Sequence, residues 1–202
     1  MVLFVKNHLF VMIIASKLRK ENVSEYLLYM WQIEDIIRAY GLDLAKIKAN
    51  VIDKFPGIDD ARRKEMEEWY ESLIDMMRRE GVEKSGHLQI NKNMLIQLVD
   101  LHLVLLRDPR FPEYTAEFYK TLPYIVELRA KSGEAKAAEI ETCFNALYGM
   151  LLLRLQKKEV SPDTQAAINQ ITKFIALLTK NFHLDEAGKL FPEDDDASEQ
   201  KD

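Results

Sequence analysis

The sequence predicts an all-α fold, arranged as a single-domain helical bundle of about seven helices. Apolar residues recur at spacings of three and four along most of the chain, which is the period of an amphipathic helix. Glycine (7) and proline (6) are scarce among the 202 residues, so the regular segments are expected to be long. No stretch of the sequence alternates apolar and polar residues over the length of a strand. A chain of this length fits one domain with a core of its own.

The first helix is expected to run from about Ser16 to Tyr40, with Gly41 as its left-handed C-cap. Asp43 is a suitable N-cap for a short second helix, which ends at the turn Phe55-Pro56-Gly57. The apolar stripe of the first helix comprises Val23, Tyr26, Leu27, Met30, Ile33, Ile37 and Tyr40.

Capping residues and helix breakers also mark the third and fourth helices. An aspartate opens the third helix and a glycine closes it, whereas an asparagine opens the fourth helix and an Asp-Pro pair ends it. We place the third helix between Asp59 or Asp60 and Gly81, and the fourth between Asn91 or Asn93 and Asp108-Pro109.

Proline and serine positions define the last three helices. The fifth helix begins near Pro112 and ends at Gly133, and Pro123 inside it predicts a kink or a break because proline lacks a backbone N–H. The sixth helix is expected over about residues 134–158. The seventh follows Ser161-Pro162-Asp163, which combines a capping serine, a proline in the first turn and an acid near the positive helix end.

Both ends of the chain are expected to lie outside the helical domain, which we place at residues 12–184. Residues 1–11 are interpreted as an extension or a mis-assigned start that precedes Met12. Of the chain's 33 acids and 28 bases, residues 192–202 hold six and one, so the remainder is formally neutral. Residues 185–202 are therefore predicted to be a disordered, solubilising acidic tail.

The composition argues against nucleic acid and membrane partners and favours a reducing compartment. A neutral body lacks the broad basic surface that nucleic acid binding requires, so no nucleic acid partner is expected. The uninterrupted apolar run 9–15 is too short to cross a bilayer, so no membrane association is expected. Cys143 is the only cysteine, which favours a reducing, cytoplasmic compartment, and its apolar neighbours argue against a nucleophilic role. No sequence motif indicates a cofactor or a catalytic residue.

Three segments of the chain carry a family resemblance. They are residues 25–41 (EYLLYMWQIEDIIRAYG), 86–89 (GHLQ) and 143–149 (CFNALYG), which resemble those of a family of bacterial helical proteins of unknown function. The resemblance covers roughly residues 12–184. It implies an all-helical, cytoplasmic bacterial protein, and it assigns no activity and no site residue.

The apolar segment 143–155 carries polar groups that are expected to be buried. A helix that is apolar on most sides usually lies at the centre of a bundle, and Gly149 would let a neighbouring helix approach closely. A buried Arg154 would need a carboxylate, which Glu34 offers from the core face of the first helix unless Arg38 pairs with it instead. The predicted interior cluster comprises Arg154, Glu34, His102, Glu141, Asn145 and Tyr148.

Three interpretations of this cluster stay open. The first is a satisfied structural network of hydrogen bonds and ion pairs. The second is a metal site made by Glu34, Glu141 and His102, although no helix carries the Glu-x-x-His pair that four-helix di-metal sites use. The third is a pocket for a small anion, with the guanidinium of Arg154 as its anchor.

The leading functional hypothesis is a non-catalytic binding or interaction module with an unknown protein or small-molecule partner. Assembly as a homodimer is left open. The alternative is an enzyme, or a metal- or small-anion-binding bundle, that uses the interior Glu/His/Arg cluster. His87, in the segment Gly86-His87-Leu88-Gln89, is interpreted as a loop residue that closes the end of the bundle.

Overall fold

The computed structural model describes residues 11–132 and 137–191. Within these ranges the chain forms eight α-helices, one 3-10 turn at Ile52–Lys54 and no strand, which confirms the all-α, single-domain prediction. The helices are α1 (Val11–Glu21), α2 (Val23–Ala39), α3 (Leu44–Asn50), α4 (Asp60–Arg79), α5 (Gln89–Arg107), α6 (Pro112–Ser132), α7 (Glu139–Leu155) and α8 (Pro162–Glu186).

The predicted first helix is two helices, because the chain breaks at Asn22. The side chain of Asn22 accepts a hydrogen bond from the backbone N–H of Glu25 at 3.1 Å and so caps α2. The next backbone N–H, that of Val23, donates to Nε2 of His183 on α8 at 3.2 Å. Local capping and one long-range acceptor thus satisfy the groups that a continuous helix would have paired internally.

Three predicted helix starts are confirmed by their capping bonds. Asp43 accepts from the N–H of Lys46 at 3.1 Å, Asp59 from that of Arg62 at 2.9 Å, and Ser161 from that of Thr164 at 3.2 Å. The fourth predicted helix starts earlier than expected, at Gln89 of α5. The sixth predicted helix corresponds to α7, which is shorter than expected and spans Glu139–Leu155.

The predicted break in the fifth helix and the predicted central position of the sixth helix are not observed. Helix α6 continues through Pro123, which is exposed, so the missing N–H faces solvent and causes no break. Helix α7 is not an interior column, since residues 145–149 and 151–153 are all half-buried. A Cβ placed on Gly149 would meet no atom within 4 Å, so this glycine does not serve a close helix approach.

The core is built around α2 and α8 instead. Helix α8 contacts α2, α5, α6 and α7, and its core-facing side chains are buried from Ile168 to Phe182, over about four turns. Helix α2 buries ten of its 17 residues: Val23, Ser24, Tyr26, Leu27, Tyr29, Met30, Trp31, Ile33, Glu34 and Ile37. The buried face of α2 therefore carries one carboxylate among apolar side chains.

The packed chain extends past the predicted boundary at residue 184. Helix α8 ends at Glu186, Leu190 is buried, and the ring of Phe191 lies 5.6 Å from that of Phe111. The predicted N-terminal extension and acidic tail fall largely on residues 1–10 and 192–202, outside the described residues. No helix in the described part of the chain combines the length and the apolarity that crossing a membrane requires.

Candidate functional site

Glu34 is the most deeply buried charged side chain of the described residues, with 0% of its surface exposed. It lies in register with Leu27, Met30 and Ile37 on the core face of α2, as its spacing predicts. A carboxylate in this position needs partners, because burial of an unpaired charge is very costly.

Three donors from the segment that opens α5 supply these partners. The carboxylate accepts hydrogen bonds from the backbone N–H of Leu88 at 2.9 Å and from Nδ2 of Asn91 at 2.7 Å. Nδ1 of His87 lies 2.6 Å from the second oxygen. We call Glu34 together with Asp35, Arg38, His87, Asn91 and Tyr148 the Glu34 cluster.

Glu34 shares the capping of α5 with Glu80: Glu34 accepts from the N–H of the N-cap residue Leu88, and Oε2 of Glu80 accepts from the N–H of Gln89 at 2.6 Å. The N-cap residue of α5 is Leu88, an apolar residue that provides no capping bond of its own. A carboxylate at a helix N-terminus satisfies free N–H groups and complements the positive end of the helix dipole. The predicted start at Asn91 or Asn93 was wrong because the cap comes from another helix, which local sequence patterns do not reveal.

Arg38 fastens the loop between α4 and α5. Its guanidinium donates to the carbonyl oxygen of Val82 at 3.1 Å and to that of Gly86, and its Nη2 lies 4.0 Å from the Glu34 carboxylate. Gly86 has a φ of +85°, a conformation that favours glycine. The cation beside Glu34 is therefore Arg38, the alternative that the sequence offered, and not Arg154.

His87 is the part of the cluster that reaches solvent. Its ring stacks on Trp31 with centroids 4.1 Å apart and planes 15° apart, and its side chain is 33% exposed. Because ionised Glu34 can only accept, the neutral imidazole must carry its proton on Nδ1. Nε2 is then left with a lone pair, on a ring whose orientation is fixed by a carboxylate and an indole.

Asp35 and Tyr148 form the outer edge of the cluster. The Tyr148 hydroxyl donates to Oδ2 of Asp35 at 2.6 Å, and Nη1 of Arg38 donates to Oδ1 at 2.9 Å. Burial raises the pKa of Tyr148, and the bond to Asp35 raises it further, so the phenol stays protonated as a donor. The Tyr148 ring also packs edge-on against Trp31, with centroids 5.6 Å apart.

His102 belongs to a separate site, which corrects the predicted convergence. It is 1% exposed, and its Nδ1 lies 2.7 Å from the hydroxyl of Tyr114, with the rings of Phe118 and Phe174 around it. Burial lowers the pKa of His102 to about 4, so the imidazole is neutral at physiological pH. Its surroundings are those of a structural histidine in an aromatic core.

Arg154 is exposed at the end of α7, so the prediction of a buried guanidinium was wrong. No carboxylate of residues 11–132 or 137–191 lies within ion-pair distance of it. Glu141 and Asn145 are half-buried on the α7 face that also carries Tyr148. Of the six predicted residues, the structure thus joins Glu34 and Tyr148 in one network, while His102 and Arg154 lie apart from it.

Sequence reasoning missed the connecting residues Asp35, Asn91 and His87 as members of this cluster. His87 was placed on a loop at the end of the bundle, which is where it lies, but no local pattern pointed to Glu34. One sequence feature could have indicated the contact. Gly86 and His87 directly precede the buried Leu88, so a loop histidine lies next to a residue of the core.

Metal chemistry and thiol chemistry find little support in the described ranges. No group of three His, Cys, Asp or Glu side chains there is arranged to hold a metal ion. Cys143 is fully buried, and burial raises its pKa to about 12, so the thiolate nucleophile is suppressed. Two clefts, one between α1 and α4 and one at the α5–α6 turn, are lined by residues outside the cluster.

The fold and the site define an all-helical single-domain protein in which a buried carboxylate orients a partly exposed histidine. The chain belongs to the family described as Domain of unknown function (DUF4924), which matches residues 12–189. This confirms the resemblance to an uncharacterised helical family. No curated protein and no solved structure matches the chain.

Proposed function

We propose that the protein is a non-catalytic binding module that recognises an ammonium or guanidinium group at the solvent edge of the Glu34 cluster. The observation that carries the proposal is the fully buried Glu34 carboxylate holding the one-third exposed His87. An orientation fixed in this way prepares a recognition group before the ligand arrives, which lowers the entropy lost on binding. The reducing, cytoplasmic compartment and the bacterial origin are part of this proposal.

The hydrogen bonds that Glu34 already accepts favour a binding role over a catalytic role for this carboxylate. Its two oxygens already accept from three donors, Nη2 of Arg38 lies 4.0 Å away, and the side chain is 0% exposed, so neither oxygen faces a substrate. A general base must instead reach the proton that it abstracts. Glu34 therefore positions His87 and the start of α5.

The charges and hydrogen-bond acceptors at the solvent edge of the Glu34 cluster favour a cationic ligand. Asp35 is 46% exposed, and its carboxylate retains acceptor capacity beyond its bonds to Arg38 and Tyr148. Nε2 of neutral His87 is a second acceptor. Glu34, Asp35 and Arg38 sum to one negative charge, so a cationic donor complements the edge better than an anion does.

Proton transfer by His87 is the second candidate function. A buried carboxylate on Nδ1 is the arrangement that orients histidine general bases, which favours this alternative. Hydrolysis of p-nitrophenyl acetate tests it. A rate that falls to background in His87→Gln, while Cys143→Ser keeps the wild-type rate, would support catalysis by His87.

The binding proposal is tested by NMR titration with N-acetyl-lysinamide and N-acetyl-argininamide. The chain has two tryptophans, so the indole N–H of Trp31 reports the site and that of Trp69 is an internal reference. We expect the Trp31 signal to shift with the cationic probes and to stay constant with uncharged N-acetyl-norleucinamide.

Two variants test the acceptors. Asp35→Asn replaces one acceptor oxygen by an NH2 group, and His87→Phe removes the Nε2 acceptor while keeping a ring that can stack on Trp31. Both variants are expected to weaken the response by about tenfold. A tetralysine peptide that binds more tightly than the single amino acid derivative would indicate a peptide ligand. The proposal is wrong if Trp31 does not respond to either cation, or if its response is unchanged in both variants.

A further inference from the structure

The outward face of α6 is apolar and lacks a partner within the described chain. Tyr119 is 63% exposed and Val126 is 57% exposed, the two highest values among the large apolar side chains described. Ala116, Pro123 and Ala130 on the same face are also exposed. The opposite face of α6 already packs into the core through Tyr114, Phe118, Thr121 and Ile125.

The spacing of the outward residues is that of a helix–helix contact. Ala116, Tyr119, Pro123, Val126 and Ala130 follow one another at three, four, three and four residues, which is the repeat of the seam between paired helices. Single exposed apolar residues are normal on a protein surface, but a continuous stripe over four helical turns marks an interaction site.

The stripe is also symmetric about Pro123. Alanines stand seven residues to either side of it, and Tyr119 and Val126 stand four residues before and three after it. This spacing suits an isologous interface, in which the same patch must complement itself after a two-fold rotation. The face therefore fits a second copy of this chain.

The charges beside the stripe obey the same symmetry. Lys120 lies three residues before Pro123 and Glu127 four residues after it, on the same side of the stripe. Antiparallel pairing centred on Pro123 brings Lys120 of one copy opposite Glu127 of the other, twice. Both side chains are exposed (66% and 58%), and their ion pairs within the described residues are to Glu117 and Lys131 of the same helix.

We propose that the protein self-associates through α6, with two copies pairing this helix antiparallel about a two-fold axis near Pro123. Tyr119 then packs on Val126 of the second copy, and the alanines allow the helix ends to approach. A 21-residue helix pair alone is smaller than a stable interface of about 1,200–2,000 Å², so the dimer is weak and forms at micromolar concentrations. This surface is independent of the Glu34 cluster.

Sedimentation velocity over about 1–300 μM chain tests the association, since this range brackets a micromolar dissociation constant. We expect the weight-average mass to rise from the 23.5 kDa of one chain towards twice that value. Val126→Lys and Lys120→Glu are each expected to weaken the dimer by about tenfold or more, because each places like charges or a buried charge in the contact. Combining Lys120→Glu with Glu127→Lys restores the complementary pair and the dimer.

A matched control and a cross-link make the test specific to α6. Lys64→Glu changes the same charge at an exposed ion pair on α4 and is expected to leave the dimer intact. Pro123→Cys places a thiol at the axis and is expected to give a disulfide-linked dimer under mild oxidation. Ala61→Cys, at an exposed position of α4, is expected to stay free of such a disulfide. The native Cys143 is buried and does not interfere.

Circular dichroism and thermal unfolding confirm that each variant is folded before its mass is interpreted. The proposal is overturned if the folded chain stays monomeric over the whole range. It is equally overturned if a dimer forms but is insensitive to Val126→Lys and to the charge swap, because another face then makes the contact.

Discussion

Replacing Glu34 by glutamine tests whether this carboxylate holds the start of α5. The substitution keeps the size and shape of the side chain and removes its charge. The amide oxygen of glutamine can still accept from Leu88 and Asn91, but its NH2 group replaces the oxygen that accepts from His87, so that bond is lost. Charge-assisted hydrogen bonds are about twice as strong as neutral ones, so the two retained bonds weaken by about 1 kcal/mol each. Loss of the His87 bond costs about 1.5 kcal/mol more, so the free energy of unfolding falls by about 3–4 kcal/mol.

Urea unfolding followed by tryptophan fluorescence measures this loss, because Trp31 contacts His87 directly. Glu71→Gln is the matched control, since Glu71 is exposed on α4 and its replacement should change stability by less than about 0.5 kcal/mol. Amide hydrogen exchange should quicken most at Leu88, whose N–H loses its charged acceptor. A loss below about 1 kcal/mol, or unaltered exchange at Leu88, would refute the capping role of Glu34.

Three further predictions concern other buried groups. Because the pKa of His102 is lowered to about 4, the unfolded chain binds a proton near its ordinary pKa of 6.5 before the native protein does. Stability should therefore fall by about 2 kcal/mol from pH 7 to pH 5 on account of this residue, and His102→Phe should flatten that slope in urea titrations. Cys143, with a pKa raised to about 12, should resist Ellman's reagent at pH 8 until the protein unfolds, and rapid labelling of the native protein would contradict its burial. Gly149→Ala should stabilise by about 0.5–1 kcal/mol, seen as a higher urea midpoint, because its Cβ meets no neighbour and alanine favours the helix.

Most of the fold could be predicted because the signals are local. The apolar period of α2 placed Glu34 on the core face, and the capping residues Asp43, Asp59 and Ser161 marked three helix starts correctly. The break at Asn22 was missed because an asparagine inside a continuous apolar stripe reads equally well as an exposed helical residue.

The arrangement of helices was predicted less well, because it depends on which apolar faces meet. Helix α7 has the most apolar sequence segment around Leu151, yet α2 and α8 occupy the centre and α7 stays half-exposed. Periodicity states which face of a helix is apolar and does not state how many neighbours cover it. The prediction of a buried Arg154 failed for this reason.

The candidate site was predicted only in part for the same reason. Glu34 and Tyr148 were expected in a polar cluster, but their partners come from residues 53 to 113 positions away along the chain. Arg38, one turn beyond Glu34, was recognised as an alternative partner because helical spacing is local. Non-local capping of α5 has no sequence signature of its own.

The protonation state of the His87 ring tests the central claim most directly. Long-range ¹H–¹⁵N correlation spectra distinguish the two neutral tautomers of histidine. We predict that neutral His87 carries its proton on Nδ1 and a free lone pair on Nε2, and that Glu34→Gln removes this preference. A proton on Nε2 in the wild-type protein would contradict the account.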